Sequence, residues 1–470
     1  MVTAKNLIGN RLIETVIVKS IINPADETTA GKYYEANVDL VHEAYREANT
    51  ARAVFARMSI DARASLIRIF REKILFHKKE IISLLISETG KTKENADYDF
   101  TMLTDCLSFY IEEVKRHYAE IIPDPNGRWF DYLSYEPVGV VGAFLAWNFP
   151  LLNLGYKLGP VLATGNTAVI KPSTQTPLAT AFVGELFSQC GFPSGTINII
   201  LGGGEPLYRA LAESTVPRLL TMIGSTQGGM AMIKNSLTNI KRYSVELGGN
   251  APVIVFEDAD LTLAAKSIAE LKFSNAGQIC VAPNRVFVHA SRYEGFIAQT
   301  KDIAQTYKPL GEGAPEIQPV NSEKALTRIL ASVSSSITHG AKIVCGGKRI
   351  PRKGYFIEPT IIRDASAQMS ICEEEIFGPV MPIVSFTDNN TIFDAANNNN
   401  AGLSAYVFTE NLSRALSAVR ELQFGNIIVN GVRYAIELPH GGLKQSGYGK
   451  DASRHALGEY YDIKRISIRK

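Results

Sequence analysis

The chain has 470 residues, of which 46% are hydrophobic and 20% charged, a balance typical of a globular protein. This length exceeds what one hydrophobic core usually serves, so we expect two or more domains. The formal net charge of +2 gives no reason to expect nucleic acid or an acidic membrane surface as a partner.

The cysteines and histidines show no metal or disulfide pattern. The 5 cysteines are scattered without a CxxC pair, and the 7 histidines form no HExxH motif. Residues 1–10 lack the order of a signal peptide. The most apolar stretch, residues 138–152, is interrupted by Asn148 and Pro150 and is too short to span a bilayer. We therefore expect a cytoplasmic protein with no metal and no membrane contact.

The first part of the chain is mainly helical in pattern. Residues 1–21 predict a short strand pair or arm, and helical spacing follows over 39–55, 61–87 and 94–117. Residues 121–136 then break this spacing with prolines and an aromatic-rich extended segment. That segment predicts either a hairpin that pairs with another subunit or a packed surface loop.

From Pro137 onward, short strands alternate with helices. Strands are predicted at 138–144, 167–170, 197–201, 219–223 and 243–247, and Thr176 is predicted to cap a helix with Pro177 in its first turn. After Gly249 the alternation resumes, with strands at 253–256, 286–289, 343–345, 381–386, 405–408 and 427–429. Repeated strand–helix units predict two doubly wound parallel sheets, an α/β fold that binds ligands at the carboxyl ends of its strands.

Three polar residues stand out against this background. Cys280 follows a glycine-containing bend after a helical run, Glu246 ends a strand before two glycines, and Asn148 is a lone amide in an apolar run. A nucleophile, a base and an amide donor are the parts that covalent chemistry at a carbonyl needs. Taken singly, the cysteine could equally be a small core residue and the glutamate a solvated one.

The segments around these residues resemble the aldehyde dehydrogenase superfamily, and the likeness runs from Ile22 to the C-terminal tail. The matching segments are Trp147–Pro150, Lys171–Ser173, Gly224–Thr226, Glu246–Gly249, Phe273–Cys280, Glu375–Pro379 and Gly441–Gly447. The resemblance implies that Cys280 attacks an aldehyde to form a thiohemiacetal and then a thioester. It implies that Glu246 activates the hydrolytic water, and that Asn148 and the Cys280 backbone N–H bind the oxyanion.

The resemblance also implies a division of the chain. A cofactor-binding domain would comprise residues 1–120 and 137–247, and a catalytic domain residues 248–440. Residues 121–136 and 453–470 would form a β arm and tail that pair subunits into a homodimer or homotetramer.

The expected cofactor is NAD or NADP, although the usual GxGxxG fingerprint is absent. Gly224 and Ser225 follow a strand and open a helix, where backbone amides could hold a pyrophosphate; a plain turn is the alternative reading. The resemblance favours the cofactor. It assigns Ser225 to the pyrophosphate, Lys171 to the adenosine ribose, Glu375 to the nicotinamide ribose and Phe377 to the nicotinamide ring. Trp147, Gly224 and Leu247 complete the predicted cofactor set.

One departure concerns cofactor choice. Many NAD-preferring members carry a glutamate three residues after the lysine, where it repels a 2′-phosphate, and this chain has Thr174 there. Removing that repulsive charge predicts that NADP is accepted beside NAD.

The substrate is less well defined. Residues 438–451 are most similar to the aminoaldehyde and betaine-aldehyde branch, while other branches more often have Phe at the place of His440. Apolar Ile279 beside the nucleophile weakens this reading. Arg433, if directed inward, would instead suit a carboxylate, as in succinate semialdehyde, whereas a solvent-facing loop arginine is the favoured alternative. A coenzyme A-acylating dehydrogenase and a non-catalytic protein are further alternatives, against which Glu246 and the complete residue set argue.

Overall fold

The computed structural model describes residues 2–117 and 119–470, so Met1 and Tyr118 of the predicted first domain lie outside the described residues. The predicted α/β class with doubly wound parallel sheets is confirmed. Two large sheets, each flanked by helices, account for most of the described strands.

The first sheet has eight strands, and its central five are parallel. From one edge to the other they are Gly447–Tyr448, Arg242–Glu246, Leu219–Ile223, Val140–Phe144, Thr167–Lys171, Ile197–Ile199, Asn6–Ile8 and Arg11–Ile13. The helices Val38–Phe55, Ile60–Phe76, Lys78–Thr89, Lys93–Glu113, Pro150–Thr164, Leu178–Phe187, Glu205–Glu213 and Thr226–Asn235 belong to the same half of the chain. The central strands are buried on both faces, which explains their almost unbroken apolar sequence.

The second sheet has seven strands, of which all but the first edge strand run parallel. Their order is Lys342–Cys345, Thr360–Arg363, Val380–Phe386, Pro283–His289, Ala251–Val255, Ser404–Phe408 and Asn426–Val429. Its helices are Leu261–Phe273, Tyr293–Thr306, Glu323–Thr338, Ser370–Glu373, Ile392–Asn397 and Leu412–Glu421. The strand Arg242–Glu246 ends the first sheet's parallel run, and the chain passes directly into the second sheet.

Three small sheets complete the described strands. Strands Glu120–Ile122, Trp129–Pro137 and Tyr461–Arg469 form an antiparallel sheet, in which the tail pairs along the whole length of the aromatic segment. Strands Thr3–Ala4, Thr29–Tyr34 and Val18–Ile22 form a mixed sheet, in which only Val18–Ile22 runs antiparallel to the central strand, and Lys308–Pro309 pairs with Glu316–Ile317. No helix in residues 2–117 or 119–470 combines the length and the apolarity that crossing a bilayer requires.

Two local predictions were wrong. The helical pattern predicted over 61–87 is two helices, because His77 leaves helical geometry between Phe76 and Lys78. Thr176 does not cap the following helix, which begins at Leu178 without a side-chain cap from its own segment.

Glu88 takes the place of that cap from a distant helix. Its carboxylate accepts hydrogen bonds from the backbone N–H groups of Leu178 at 2.6 Å and Ala179 at 3.1 Å. A carboxylate is favourable at the positive end of a helix, although burial raises the pKa of Glu88 to about 8. The N-terminus of this helix is therefore capped by a residue from another helix, a contact that the local sequence does not encode.

Candidate active site

The loop that carries Cys280 has an unusual backbone. Asn275, Ala276 and Gly277 have consecutive positive φ angles of 48°, 52° and 70°. Only glycine adopts this region freely, so the loop must be held by its surroundings. A Cβ on Gly277 would lie 2.2 Å from the carbonyl oxygen of Gly378, so glycine is required where the loop meets the segment Glu375–Pro379.

A buried polar network supplies the restraint. Lys91 Nζ donates to Asn275 Oδ1 at 2.9 Å, and Gln318 Nε2 donates to the same oxygen at 2.7 Å. Gln278 Nε2 donates to the Asn275 carbonyl at 3.1 Å. Lys91 and Asp99 lie 3.7 Å apart and are both buried, and burial lowers the pKa of Lys91 to about 8. The strained turn is thus anchored by buried hydrogen bonds, the class of contact that costs most to break.

Glu246 approaches this loop because of the glycines that follow it. The residue ends the strand Arg242–Glu246 and is buried. A Cβ on Gly249 would lie 2.1 Å from the carbonyl oxygen of Cys280, so only glycine allows the two segments to come this close. The Glu-Leu-Gly-Gly segment therefore places a carboxylate beside the thiol.

The C-terminal motif braces the same strand. Gly447 pairs with Glu246, Leu247 N–H donates to the Ser446 carbonyl at 2.9 Å, and Ser446 Oγ donates to the Gly248 carbonyl at 2.7 Å. A Cβ on Gly447 would lie 1.9 Å from the Val245 carbonyl. The motif that carried part of the family resemblance is thus a structural support for Glu246.

His440 enters the site from the start of that motif. Its Nε2 lies 3.9 Å from Cys280 Sγ and 3.4 Å from Glu246 Oε1. The polar atoms of Cys280, Glu246 and His440 all lie within 4.8 Å of one another. His440 is itself buried, and its backbone N–H and C=O both pair with Asp451 at 2.7 Å.

A buried ion pair holds the Asp451 side of this arrangement. Lys157 Nζ lies 2.6 Å and 2.8 Å from the two carboxylate oxygens of Asp451, and both side chains are almost fully buried. Removing one member of such a pair typically costs about 3–5 kcal/mol, because the other charge is left buried alone. The position of His440 is therefore tied to helix Pro150–Thr164 as well as to the C-terminal loop.

The electrostatic setting of Cys280 is unfavourable for a thiolate. Burial, followed by the charge of Glu246, raises the pKa of the Cys280 thiol well above its usual range. Two unit charges within 4.8 Å repel by about 3 kcal/mol or more at an effective dielectric constant near 20. The residue nonetheless keeps part of its surface exposed, as does Cys345, while Cys106, Cys190 and Cys372 are buried.

Asn148 points its amide at the Cys280 loop. Its Nδ2 donates to the Gln278 carbonyl at 3.2 Å, which uses one of the two N–H donors that the amide carries. Its Oδ1 accepts from Asn153 Nδ2 at 3.5 Å, which fixes which end of the amide faces the loop. The structure thus gathers Cys280, Glu246 and Asn148, predicted from three distant segments, around one point.

The residues predicted for the nicotinamide half of the cofactor also converge. The rings of Trp147 and Phe377 meet edge to face with centroids 5.4 Å apart. Glu375 Oε1 accepts from Gly249 N–H at 3.2 Å, and burial raises the pKa of Glu375 to about 8. Its neighbours Glu373 and Glu374 are exposed, whereas Glu375 turns inward and keeps acceptor capacity for two ribose hydroxyls.

The residues predicted for the adenosine half lie at strand ends on the first sheet. Lys171 ends a strand and is buried, with Nζ donating only to the Pro172 carbonyl at 3.2 Å. Ser225 is the N-cap of helix Thr226–Asn235, and its Oγ accepts from Gly228 N–H at 3.1 Å. Thr174 is half-buried and packs towards Gly203. These positions fit a dinucleotide whose phosphates lie at a helix N-terminus.

Gly224 and Leu247 have packing roles beside Lys171, Thr174 and Ser225, three residues that we call the cofactor rim. A Cβ on Gly224 would lie 2.7 Å from Met222 Cε, and Leu247 packs its methyl groups against Gly229. A cavity of about 270 Å³ is lined by Trp147, Asn148 and Thr174 among others. The cofactor rim and the side chain of Asn148 therefore border the same cavity.

An aromatic and apolar cluster adjoins the nucleophile. We call it the Phe149 cluster; its buried members are Met102, Cys106, Phe149, Leu152, Tyr156, Ile223 and Ala452, with Ile279, Tyr434 and Ile436 packed against it. Arg433 is exposed, so its guanidinium is not part of this lining. Asp105 and Glu437 are exposed beside the cluster; burial raises the pKa of Asp105, Arg71 opposes this rise, and Glu437 adds to it.

Sequence reasoning missed three features of the site. It noted His440 only as a branch marker in place of Phe, and that unusual residue was the available signal. It assigned no role to the Lys157–Asp451 pair or to Lys91, because partners 294 and 184 residues apart leave no local pattern. That the chemistry needs no metal remains a prediction.

Comparison with known proteins agrees with this geometry. The Aldehyde dehydrogenase family matches residues 16–466. A mitochondrial succinate-semialdehyde dehydrogenase of Oryza sativa subsp. japonica is 35% identical over 100% of this chain and 90% of its own length. The NADP(+) succinate-semialdehyde dehydrogenase of Escherichia coli (strain K12) is 33% identical over 95% of this chain and 94% of its own length.

A solved structure extends the agreement to the fold. The crystal structure of a betaine aldehyde dehydrogenase mutant from Staphylococcus aureus, in complex with NAD⁺, superimposes with a TM-score of 0.95 at 30% identity. The match covers 99% of this chain and 97% of that one. With a family match across most of its length and full-length relatives above 30% identity, the chain belongs to the aldehyde dehydrogenase family.

Proposed function

We propose that Cys280, Glu246 and Asn148 carry the chemistry by which this aldehyde dehydrogenase oxidises an aldehyde to the carboxylic acid and reduces NAD or NADP. The single observation that supports the proposal is the convergence of the three residues across the junction of the two large sheets. Cys280 Sγ and a Glu246 carboxylate oxygen lie within 4.8 Å, and Asn148 Nδ2 lies 3.2 Å from the carbonyl next but one to Cys280.

Each of the three residues has a separate role in the proposed reaction. Cys280 attacks the aldehyde carbon, and the second N–H of Asn148 with the Cys280 backbone N–H binds the oxyanion that develops. A bound nicotinamide supplies the acceptor for the hydride. Glu246 then takes a proton from water, which attacks the thioester and releases the acid, with Cys280 as the leaving thiolate.

The cofactor is held, in this proposal, by a domain of residues 1–120 and 137–247, and the thiol by a domain of residues 248–440. Ser225 and Gly224 would lie at the pyrophosphate, Lys171 and Thr174 at the adenosine ribose, and Glu375 at the nicotinamide ribose. The inward turn of Glu375, beside two exposed glutamates, supports its assignment.

For the substrate, we propose an aldehyde with an amino group. Arg433 is exposed, and the buried lysines Lys91 and Lys157 already lie next to Asp99 and Asp451. The Phe149 cluster itself contains no lysine or arginine among its described residues, so a carboxylate-bearing aldehyde would lack a cationic partner there. The exposed carboxylates of Asp105 and Glu437, beside the Phe149 cluster, would attract a cationic tail.

Succinate semialdehyde is the second candidate, because relatives at 33% and 35% identity are named succinate-semialdehyde dehydrogenases. Initial rates with 4-aminobutanal and succinate semialdehyde, each with and without coenzyme A, separate the candidates. A higher kcat/KM for 4-aminobutanal, lowered severalfold by Asp105→Asn, is expected. A higher kcat/KM for succinate semialdehyde would overturn the amino preference, and dependence on coenzyme A would overturn hydrolysis.

The chain is also proposed to form a homodimer or homotetramer through the arm and tail, residues 121–136 and 453–470. The supporting observation is apolar exposure on the small antiparallel sheet, where Ile121, Trp129, Phe130, Ile463 and Ile468 are all exposed in the single chain. Strand Tyr461–Arg469 also has a free edge. Light scattering tests this, and a monomeric mass would contradict it.

A further inference from the structure

His440 contacts two of the residues that are proposed to carry the reaction, which packing alone does not explain. Its Nε2 faces two groups of the proposed reaction at once, Cys280 Sγ at 3.9 Å and Glu246 Oε1 at 3.4 Å. We propose that His440 accepts the proton of the Cys280 thiol at Nε2, so that the nucleophile is the thiolate of a cysteine–histidine pair whose imidazolium also faces Glu246. This inference deepens the proposed function and rests on its assignment of Cys280 as nucleophile.

The charges around the thiol support this role. Thiolate formation beside Glu246 places two anions within 4.8 Å, and the carboxylate of Glu246 is buried. An imidazolium between them changes two neighbouring anions into an alternating anion–cation–anion arrangement. Of the described residues, His440 is the one whose basic nitrogen contacts both acidic groups.

The hydrogen bonding points the same way. Glu246 Oε1 is buried and has no hydrogen-bond donor among the described residues, so an N–H on His440 Nε2 would meet an unoccupied acceptor. A neutral ring with its lone pair towards the carboxylate would face repulsion instead. In the Nδ1–H tautomer, transfer of the thiol proton to Nε2 therefore replaces this repulsion with a hydrogen bond to Glu246.

The surroundings determine whether this proton can remain on the ring. The charged and titratable groups around His440 are Cys280 and Glu246 on the catalytic side, Asp451 on the paired loop, Lys157 behind Asp451, and Tyr434 and Tyr156, whose rings lie near the imidazole. Lys157 is neutralised by Asp451 at 2.6 Å, so it does not oppose a cation on the ring. Backbone pairing to Asp451 holds the ring where both contacts are made.

The proton balance is simple. The Sγ–H bond of Cys280 breaks and an Nε2–H bond of His440 forms, with no change in oxidation state. The thiolate then forms the C–S bond to the aldehyde. After hydrolysis breaks that bond, the thiolate returns beside the same imidazolium, so His440 needs no proton from solvent in each turnover.

The test measures Cys280 without the dehydrogenase reaction. Alkylation of Cys280 by iodoacetamide is followed by peptide mass spectrometry between pH 5.5 and 10, with no aldehyde or cofactor present. The variant His440→Phe keeps an aromatic ring and removes both nitrogens, and His440→Asn keeps a polar side chain that cannot titrate in this range. His455→Phe is the matched control, because His455 is exposed and lies outside the site.

We expect wild type and His455→Phe to alkylate readily at pH 7. Both His440 variants should react at least about tenfold more slowly at pH 7, and their rates should still be rising at pH 10, because burial and Glu246 hold the pKa of the unassisted thiol well above its usual range. Superimposable profiles for wild type and His440→Phe would overturn the inference. So would a normal alkylation profile combined with slow thioester hydrolysis, since His440 would then only orient Glu246.

Failure of the proposed function gives a different result. If Cys280→Ala retains dehydrogenase turnover, the assignment of the nucleophile is wrong whatever the alkylation profile shows. If Cys280→Ala is inactive and the His440 profiles match wild type, only the inference about His440 is wrong. Cofactor binding measured on each variant identifies any that fail to fold, and His440→Asn then serves in place of His440→Phe.

Discussion

The catalytic centre and the cofactor rim hold their residues in opposite ways. Cys280, Glu246 and His440 are brought together from segments far apart in the chain and are enclosed by buried hydrogen bonds. Thr174 and Ser225 lie on turns after strands, keep much of their surface exposed and make mostly local contacts. The difference indicates that substitutions at the centre should decide whether chemistry occurs, whereas substitutions at the rim should adjust which cofactor is preferred.

The largest effect is expected for Cys280→Ala. Loss of the nucleophile should lower turnover by at least about 10⁴-fold, while NAD(P) binding survives because the rim is unchanged. NAD(P)H formation and cofactor binding by fluorescence measure the two properties. Cys345→Ala is the control, since Cys345 is the other partly exposed thiol and should leave the rate unchanged. Normal turnover in Cys280→Ala would contradict the assignment of Cys280 as the nucleophile.

Glu246→Gln should separate the two halves of the reaction. The amide cannot take a proton from water, so thioester should accumulate after hydride transfer. Stopped-flow absorbance should show a burst of about one equivalent of NAD(P)H per site, followed by a steady rate reduced about 10²-fold. An unchanged steady rate without a burst would mean that another group activates the water.

Thr174→Glu should change preference without stopping the reaction. A carboxylate there would repel the 2′-phosphate of NADP and accept from the 2′-hydroxyl of NAD. The ratio of kcat/KM for NAD over NADP should rise about 10- to 100-fold, the worth of one charged hydrogen bond. Thr174→Val, which removes only the hydroxyl, is the control. A ratio that stays constant in Thr174→Glu would place Thr174 away from the ribose.

The smallest effect concerns pH at the rim. Burial lowers the pKa of Lys171 to about 8, so the charged form is present below pH 8 and is lost as pH rises through it. Because a phosphate favours the charged lysine, the Kd for NADP should rise by up to about tenfold between pH 7 and 9, and that for NAD less. Calorimetric titration measures both constants.

Lys171→Arg is the control for this prediction, because arginine stays charged across the range. The pH dependence of NADP affinity should flatten in that variant. Equal pH dependence in wild type and Lys171→Arg would show that another group is responsible.

Much of the fold was predictable because its signals are local. The alternation of apolar strands and helices, the glycines at Gly248, Gly249 and Gly277, and the motif segments all lie within short windows of sequence. The strand-end position of Glu246 and the loop position of Cys280 followed from those windows, and family resemblance then suggested their roles. The structure adds a physical reason for two of the glycines, since a Cβ at Gly249 or Gly277 would overlap a carbonyl oxygen.

What local patterns could not supply were contacts between distant segments. The cap predicted for Thr176 is instead supplied by Glu88, 90 residues before Leu178 in sequence. The exposure of Arg433 depends on how its loop packs, and it agrees with the solvent-facing of the two orientations that the sequence offered.

The sequence by itself determined which residues are proposed to carry chemistry, because residue type, turn geometry and hydrophobic period are properties of neighbours in the chain. Only the tertiary structure decided which charges meet. The encounter of His440 with Cys280 spans 160 residues, and that of Lys157 with Asp451 spans 294. Electrostatic interactions depend on distance through space and on burial, and neither can be read along the chain.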